Sequence, residues 1–214
     1  MMGEGLGLIW GFAGIAGYLL GSIPFGLVIT RLAGLGDIRA IGSGNIGATN
    51  VLRTGRKDLA LATLLLDSGK AGIAALIFQL AFGAQIPSIG LFAGAMAFVG
   101  HCFPVWLQFK GGKGVATYAG LLIAGVWKVA LFAAPCWILI AFISRRSSLA
   151  ALITAALVPI VAWGVNYSVL QVIILIGLSG LLYWRHMANI KRLIAGTEPK
   201  IGEKSKKSEE SQPA

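Results

Sequence analysis

The sequence predicts an all-α, polytopic membrane protein. It should have seven transmembrane helices, its N-terminus outside and its C-terminus in the cytoplasm. Three observations lead there. Hydrophobic residues make up 57% of 214 positions and charged residues only 12%, with a mean hydropathy of +0.81. The apolar residues gather in runs long enough to cross a hydrocarbon layer of ~30 Å. The cations collect in every second loop between those runs, which places them on one face. A soluble domain carries roughly 25% charged residues, so an ordinary globule is excluded. Disorder over most of the length is excluded too, because so much apolar surface must be hidden from water.

The first run spans residues 6–32 and has no Lys or Arg before it. A cleaved signal peptide carries its positive charge at the front, so this run stays as a span. Arg31, the first cation, puts the far end of the run inside. Pro24, within Gly21-Ser22-Ile23-Pro24-Phe25-Gly26, should kink it. A polar loop covers 33–58, and spans follow at 59–83 and 86–107, joined by the uncharged Ala84-Gln85. The second basic loop is 108–114.

Residues 115–143 read either as one long helix or as two short ones turning near Gly125-Val126-Trp127-Lys128. One helix would put Arg145, Arg185, Lys191 and Arg192 outside, whereas two put every loop cation except Lys128 inside. Two are therefore expected. The last spans are 149–165 and 168–184, joined by Asn166-Tyr167. Residues 1–196 form one membrane-embedded domain in this reading, and 197–214 a polar, disordered tail. Spaced glycines, Gly3, Gly7 and Gly11 and then Gly90 and Gly94, suggest close helix packing. Cys102 and Cys136 lie in apolar stretches and read as small buried residues.

The net charge is +10. In the tail, Lys200, Lys204, Lys206 and Lys207 balance Glu198, Glu203, Glu209 and Glu210, so the excess belongs to the membrane body. There only Glu4, Asp37, Asp58 and Asp67 oppose it. Such an excess suits anionic lipid headgroups or an anionic substrate. Short loops between apolar spans do not suit nucleic acid.

Three polar segments fall on the same inner face. In the first, Gly42-Ser43-Gly44-Asn45-Ile46-Gly47-Ala48-Thr49-Asn50-Val51-Leu52-Arg53, glycines free the backbone to form an anion-binding nest. Ser43, Asn45, Thr49 and Asn50 add neutral donors, and Arg53 adds a bidentate fork. The segment also reads as a glycine-rich turn with helix caps. The second holds Lys110-Gly111-Gly112-Lys113-Gly114 before Val115, Ala116 and Thr117. A flexible backbone, lysines and a helix N-terminus suit phosphate. It is not a P-loop, since the G-x-x-x-x-G-K-[ST] spacing is absent, and it also reads as a plain cytoplasmic loop. In the third, His186 and Asn189 share a helix face, while Arg185, Lys191 and Arg192 suit a basic stop at the end of a span. His101 reads as a hydrogen-bonded structural group, and Asp67 with Lys70 as a buried ion pair. No Asp, Glu, His or Cys cluster has metal-ligand spacing. Neither histidine begins H-x-x-x-x-D, since Trp106 and Lys191 stand five residues on.

Together these segments, with Gly21–Gly26, Asp67–Lys70, Gly100–Thr117 and Arg185–Lys200, resemble the bacterial acyl-phosphate:glycerol-3-phosphate acyltransferase family of integral membrane enzymes. The resemblance implies transfer of a fatty acyl group from acyl phosphate to the 1-hydroxyl of sn-glycerol 3-phosphate. The products would be lysophosphatidic acid and phosphate, in the first acylation of phospholipid synthesis. It implies a cell-membrane enzyme, embedded among lipids, whose site faces the cytoplasm. It leaves open whether the chain docks with the soluble enzyme that makes acyl phosphate.

An acyl phosphate is already an activated anhydride, so positioning and charge stabilisation suffice, without a covalent nucleophile. No cofactor or metal is expected. Lys113 and its loop (Lys110, Gly111, Gly112, Gly114, Thr117), with His186 and Asn189, would bind glycerol 3-phosphate. Ser43, Thr49, Arg53 and the nest (Gly42, Gly44, Asn45, Asn50) would hold the acyl phosphate. Which loop takes which phosphate stays open, as does the general base: His186 or a substrate phosphate. A transporter of small phosphorylated anions is the competing reading, and a non-catalytic scaffold the third. Against transport, no inverted repeat is evident and the polar residues gather at one face.

Overall fold

The structure is a computed structural model. It describes the backbone of residues 2–203 and the side chains from residue 5 on. The remainder of the expected tail, 204–214, lies outside the described residues. Among the described residues the chain is helical throughout, with no strand. The first apolar run breaks where Pro24 removes a backbone donor. It forms α1 (Met2–Gly21) and α2 (Phe25–Leu32). The first polar segment holds the short α3 (Ala48–Val51) and 3-10 turns at Ile38–Ala40 and Leu52–Thr54. Then come α4 (Lys57–Phe82), α5 (Ile89–Cys102), α6 (Val115–Gly125) and α7 (Trp127–Ser144). The chain ends with α8 (Ser147–Gly164), α9 (Val169–Arg185) and α10 (Met187–Ile194).

The turn expected between two short helices near 125–128 is present, at Val126. Among the described residues five helices are long and apolar enough to cross a membrane, or six if the α9–α10 pair, bent by 62°, counts as one span. Helix α6 has 11 residues and reaches only about 16 Å at 1.5 Å per residue. The chain is thus a multi-pass membrane protein by the length and composition of its helices.

Helix α5 forms the centre, with Ile89, Ala93, Ala97 and Phe98 fully buried. Helices α1, α4 and α6 pack around it, and α7, α8 and α9 continue the bundle. Small residues set the close approaches. A Cβ on Gly90 would run into the backbone of Ala75, and one on Gly94 into Leu121. The same was expected of Gly7 and Gly11, but a Cβ there would meet nothing within 4 Å. The contact of α1 with α5 runs instead along Gly17 and Gly21, which lie against Ala93 and Ala97. Cys102 is buried and Cys136 half-buried, each as a free thiol.

Candidate active site

One end of the bundle gathers the three polar segments around a cavity of about 1030 Å³. Ser43, Thr49, Arg53, Lys113, His186, Asn189 and Arg192 line its polar part. Leu64 of α4, Ile123 of α6, Ala134 and Trp137 of α7, and Ala151 and Ala155 of α8 line an apolar arm continuous with it.

The first segment is organised by Asn50, which is 2% exposed. Its Nδ2 donates to the carbonyls of Ile38, Ile41 and Asn45 at 2.8–3.1 Å. Its Oδ1 accepts from the Ser43 N–H at 3.0 Å and from Arg53 Nη1 at 3.2 Å. Gly42 has φ +56, and a Cβ there would collide with Asn50 and Arg53. The Gly44 N–H is used by Ile41 O at 3.0 Å. The loop is therefore a stapled frame that presents Ser43, Thr49 and Arg53, with the Ser43 and Gly44 N–H groups engaged inside it. Asn50, expected to bind substrate, spends its side chain on the frame, and Gly44 does not reach the cavity wall. Arg53 is half-buried without a carboxylate within 4.0 Å among the described residues. Burial lowers its pKa from the ordinary arginine value.

The second segment departs from the expected phosphate cradle. The N–H groups of Gly111 and Gly112 donate to Cys102 O and His101 O, closing the end of α5. Their carbonyls accept from Arg185, at 2.7 Å for Gly111 O and 3.0 Å for Gly112 O. Both polar groups of each glycine are thus engaged within the protein, and neither glycine lines the cavity. Lys110 is exposed outside the cavity, and Thr117 is fully buried behind its wall with Oγ1 unpartnered. Lys113 and Gly114 do reach it. Gly114 has φ +79, and a Cβ there would strike the buried ring of Phe98. Burial drives the Lys113 pKa down to about 8; Glu198 opposes that shift, and Arg192, Arg53 and Arg185 add to it.

His186 sits at the bend between α9 and α10, 2% exposed. Its Nδ1 lies 2.8 Å from Leu182 O, an atom that only accepts, so the proton is on Nδ1 and the lone pair on Nε2. Asn189, one turn on, is 5% exposed. Its Nδ2 donates to Glu198 Oε1 at 2.6 Å, and its Oδ1 is buried without a partner.

Glu198 was not expected here, since residues from 197 were assigned to a disordered tail. Gly196, at φ +71, ends α10, and the chain folds back under α8, with Ile201 N–H donating to Arg145 O at 2.6 Å. Glu198 is thereby 8% exposed and accepts from Ser148 Oγ at 2.6 Å and from Arg192 Nε at 2.7 Å. Burial alone would raise its pKa, but the bonds from Ser148, Asn189 and Arg192 prevail and hold it below the ordinary glutamate value. The available signal was a lone acid in a cationic stretch close to His186 and Asn189.

Deeper in the bundle, Lys70 Nζ lies 2.9 Å from Asp67 Oδ1, 2.8 Å from His101 Nδ1 and 2.9 Å from Ile23 O at the break before Pro24. The expected ion pair is therefore a three-residue cluster that includes His101. Among the described residues no group of three His, Cys, Asp or Glu is arranged to hold a metal ion.

Comparison with known proteins agrees with this geometry. Residues 11–196 match the family model described as glycerol-3-phosphate acyltransferase. A protein of that name from Maricaulis maris (strain MCS10) is 60% identical over 202 residues, covering 93% of this chain and 89% of its own. One from Rhodospirillum rubrum is 56% identical over 206 residues, covering 93% and 94%. The crystal structure of PlsY (YgiH), an integral membrane glycerol 3-phosphate acyltransferase, superposes in its glycerol 3-phosphate form with a TM-score of 0.84 at 39% identity. It covers 90% of this chain and 96% of that one. The lysophosphatidic acid form gives 0.82 at 38%, covering 90% and 95%. With residues 11–196 matched, from the first helix through Asn189 and Arg192, the chain belongs to the glycerol-3-phosphate acyltransferase family.

Proposed function

We propose that this membrane enzyme acylates the 1-hydroxyl of sn-glycerol 3-phosphate with acyl phosphate as donor, releasing lysophosphatidic acid and phosphate. The observation that carries the reading is the joining of a cationic chamber to an apolar arm in one cavity. Two phosphates need the chamber, and a fatty chain needs the arm. The glycerol 3-phosphate and lysophosphatidic acid forms of the related PlsY support substrate and product of these kinds.

In this reading Arg53, with Ser43 and Thr49, holds the acyl phosphate and draws charge toward the departing phosphate. Lys113 holds the phosphate of glycerol 3-phosphate. His186 Nε2 and Asn189 Oδ1, acceptors without a protein partner among the described residues, take hydrogen bonds from the glycerol hydroxyls. The 1-hydroxyl oxygen attacks the acyl carbon, the bond from that carbon to the phosphate oxygen breaks, and phosphate leaves. His186 is held by a backbone carbonyl and has no carboxylate within 4.0 Å among the described residues to stabilise an imidazolium. A phosphate oxygen is therefore the better final acceptor of the hydroxyl proton, with His186 orienting the nucleophile.

The same reading takes residues 1–196 as one membrane-embedded domain with α6 as the short seventh span, the N-terminus outside and the chamber facing the cytoplasm across a bacterial inner membrane. The positive-inside rule supports that orientation. A cytoplasmic chamber is also where a soluble acyl-phosphate-synthesising enzyme would deliver its product. The test is reconstitution of the purified protein with acyl phosphate and labelled glycerol 3-phosphate. Labelled lysophosphatidate is expected; uptake into vesicles without product would overturn the reading in favour of transport.

A further inference from the structure

We infer that Arg185 is a positioning residue that sets Lys113 in register with His186. The inference rests on the reading of Lys113 as an anion-binding residue. The sequence alone makes Arg185 a basic stop at the end of a span. The structure gives it another task. Its guanidinium spans 73 residues of sequence to donate from Nη2 to Gly111 O and from Nε to Gly112 O. The opposite edge of those two glycines is fixed by the carbonyls that end α5. The loop is gripped from both sides, and the residue leaving the grip is Lys113.

Arg185 does not line the cavity, and no carboxylate contacts it among the described residues. Its charge rests on two carbonyl dipoles and on the ring of Phe103, 5.4 Å from the guanidinium carbon. It therefore acts on substrate only through the loop. Its neighbour in sequence is His186, so the last residue of α9 grips the lysine loop while the next presents the imidazole. The planar fork fixes both successive carbonyls at once; a lysine at 185 keeps the charge and loses that fixed two-point geometry.

The test uses the purified full-length enzyme, with KM for each substrate measured separately. Arg185→Gln and Arg185→Lys should each raise KM for glycerol 3-phosphate about tenfold, the scale of one lost charge-assisted hydrogen bond. KM for acyl phosphate should stay within about twofold. In a Lys113→Ala background, Arg185→Gln should add less than about twofold, because one residue acts through the other. The proposal is overturned if the two substitutions multiply, or if Arg185→Gln lowers only the amount of active enzyme with both KM values unchanged. If Lys113→Ala instead raises KM for acyl phosphate, the assignment of this loop to glycerol 3-phosphate fails. Arg185→Gln raising that same KM would then still uphold the positioning role.

Discussion

Asn189 donates to Glu198 at 2.6 Å, and that bond fixes which end of the Asn189 amide is left without a partner. With Nδ2 committed to a carboxylate, Oδ1 is the open end, and it accepts but never donates. Glu198→Ala removes the acceptor shared by Ser148, Asn189 and Arg192. Stranding these donors should cost on the order of 1–3 kcal/mol. The midpoint of thermal unfolding in detergent should fall. Glu198→Gln, which still accepts through its carbonyl, should recover part of the loss.

Arg53 and Lys113 are half-buried cations without a carboxylate partner among the described residues, so the chamber holds charge that substrate anions can neutralise. Removal of one preorganised donor of this kind costs on the order of 10²–10³ in rate. Arg53→Ala and Lys113→Ala should each show that loss while inserting and accumulating normally. Near wild-type turnover in either purified variant would remove that residue from the mechanism.

The Lys113 pKa of about 8 makes a prediction with opposite signs for function and stability. Below pH 8 the lysine is charged and available to a phosphate, so kcat/KM for glycerol 3-phosphate should fall as pH rises through 8. The unfolded chain keeps the ordinary value of 10.5 and binds more protons between 8 and 10.5, so the folded state gains stability over that window. Activity should decline while the unfolding midpoint rises. Lys113→Arg, charged throughout, should lack the alkaline decline.

Much of the architecture was legible because its causes are local. Pro24 breaks the first run, the 125–128 turn follows from charge placement, and His186 and Asn189, three residues apart, both line the cavity. The contacts that were not legible have causes far away in the chain. Asn50 reads as a surface donor until Ile38, Ile41 and Asn45 surround it. Gly111 and Gly112 resemble an anion nest until the end of α5 and Arg185 claim their polar groups. Glu198 sits in a polar stretch whose order depends on Ser148, 50 residues earlier. No period or spacing carries such partners.

The Asp67–Lys70–His101 cluster yields a prediction that separates structure from catalysis. Asp67 and His101 lie on the cavity wall, so a catalytic role is geometrically open to them. Lys70, by contrast, has its three donors directed at Asp67, His101 and Ile23, which ties α4, α5 and the break before α2 together. If the cluster is structural, Asp67→Asn leaves a buried ammonium short of its counter-charge, at a cost of about 3–5 kcal/mol, and the protein should accumulate poorly. Asp67→Asn combined with Lys70→Met removes both charges and should recover much of that stability. Activity per folded molecule decides the matter. If it returns with stability in the double variant, the cluster is a brace. If the double variant folds well and stays inactive, Asp67 takes part in the reaction.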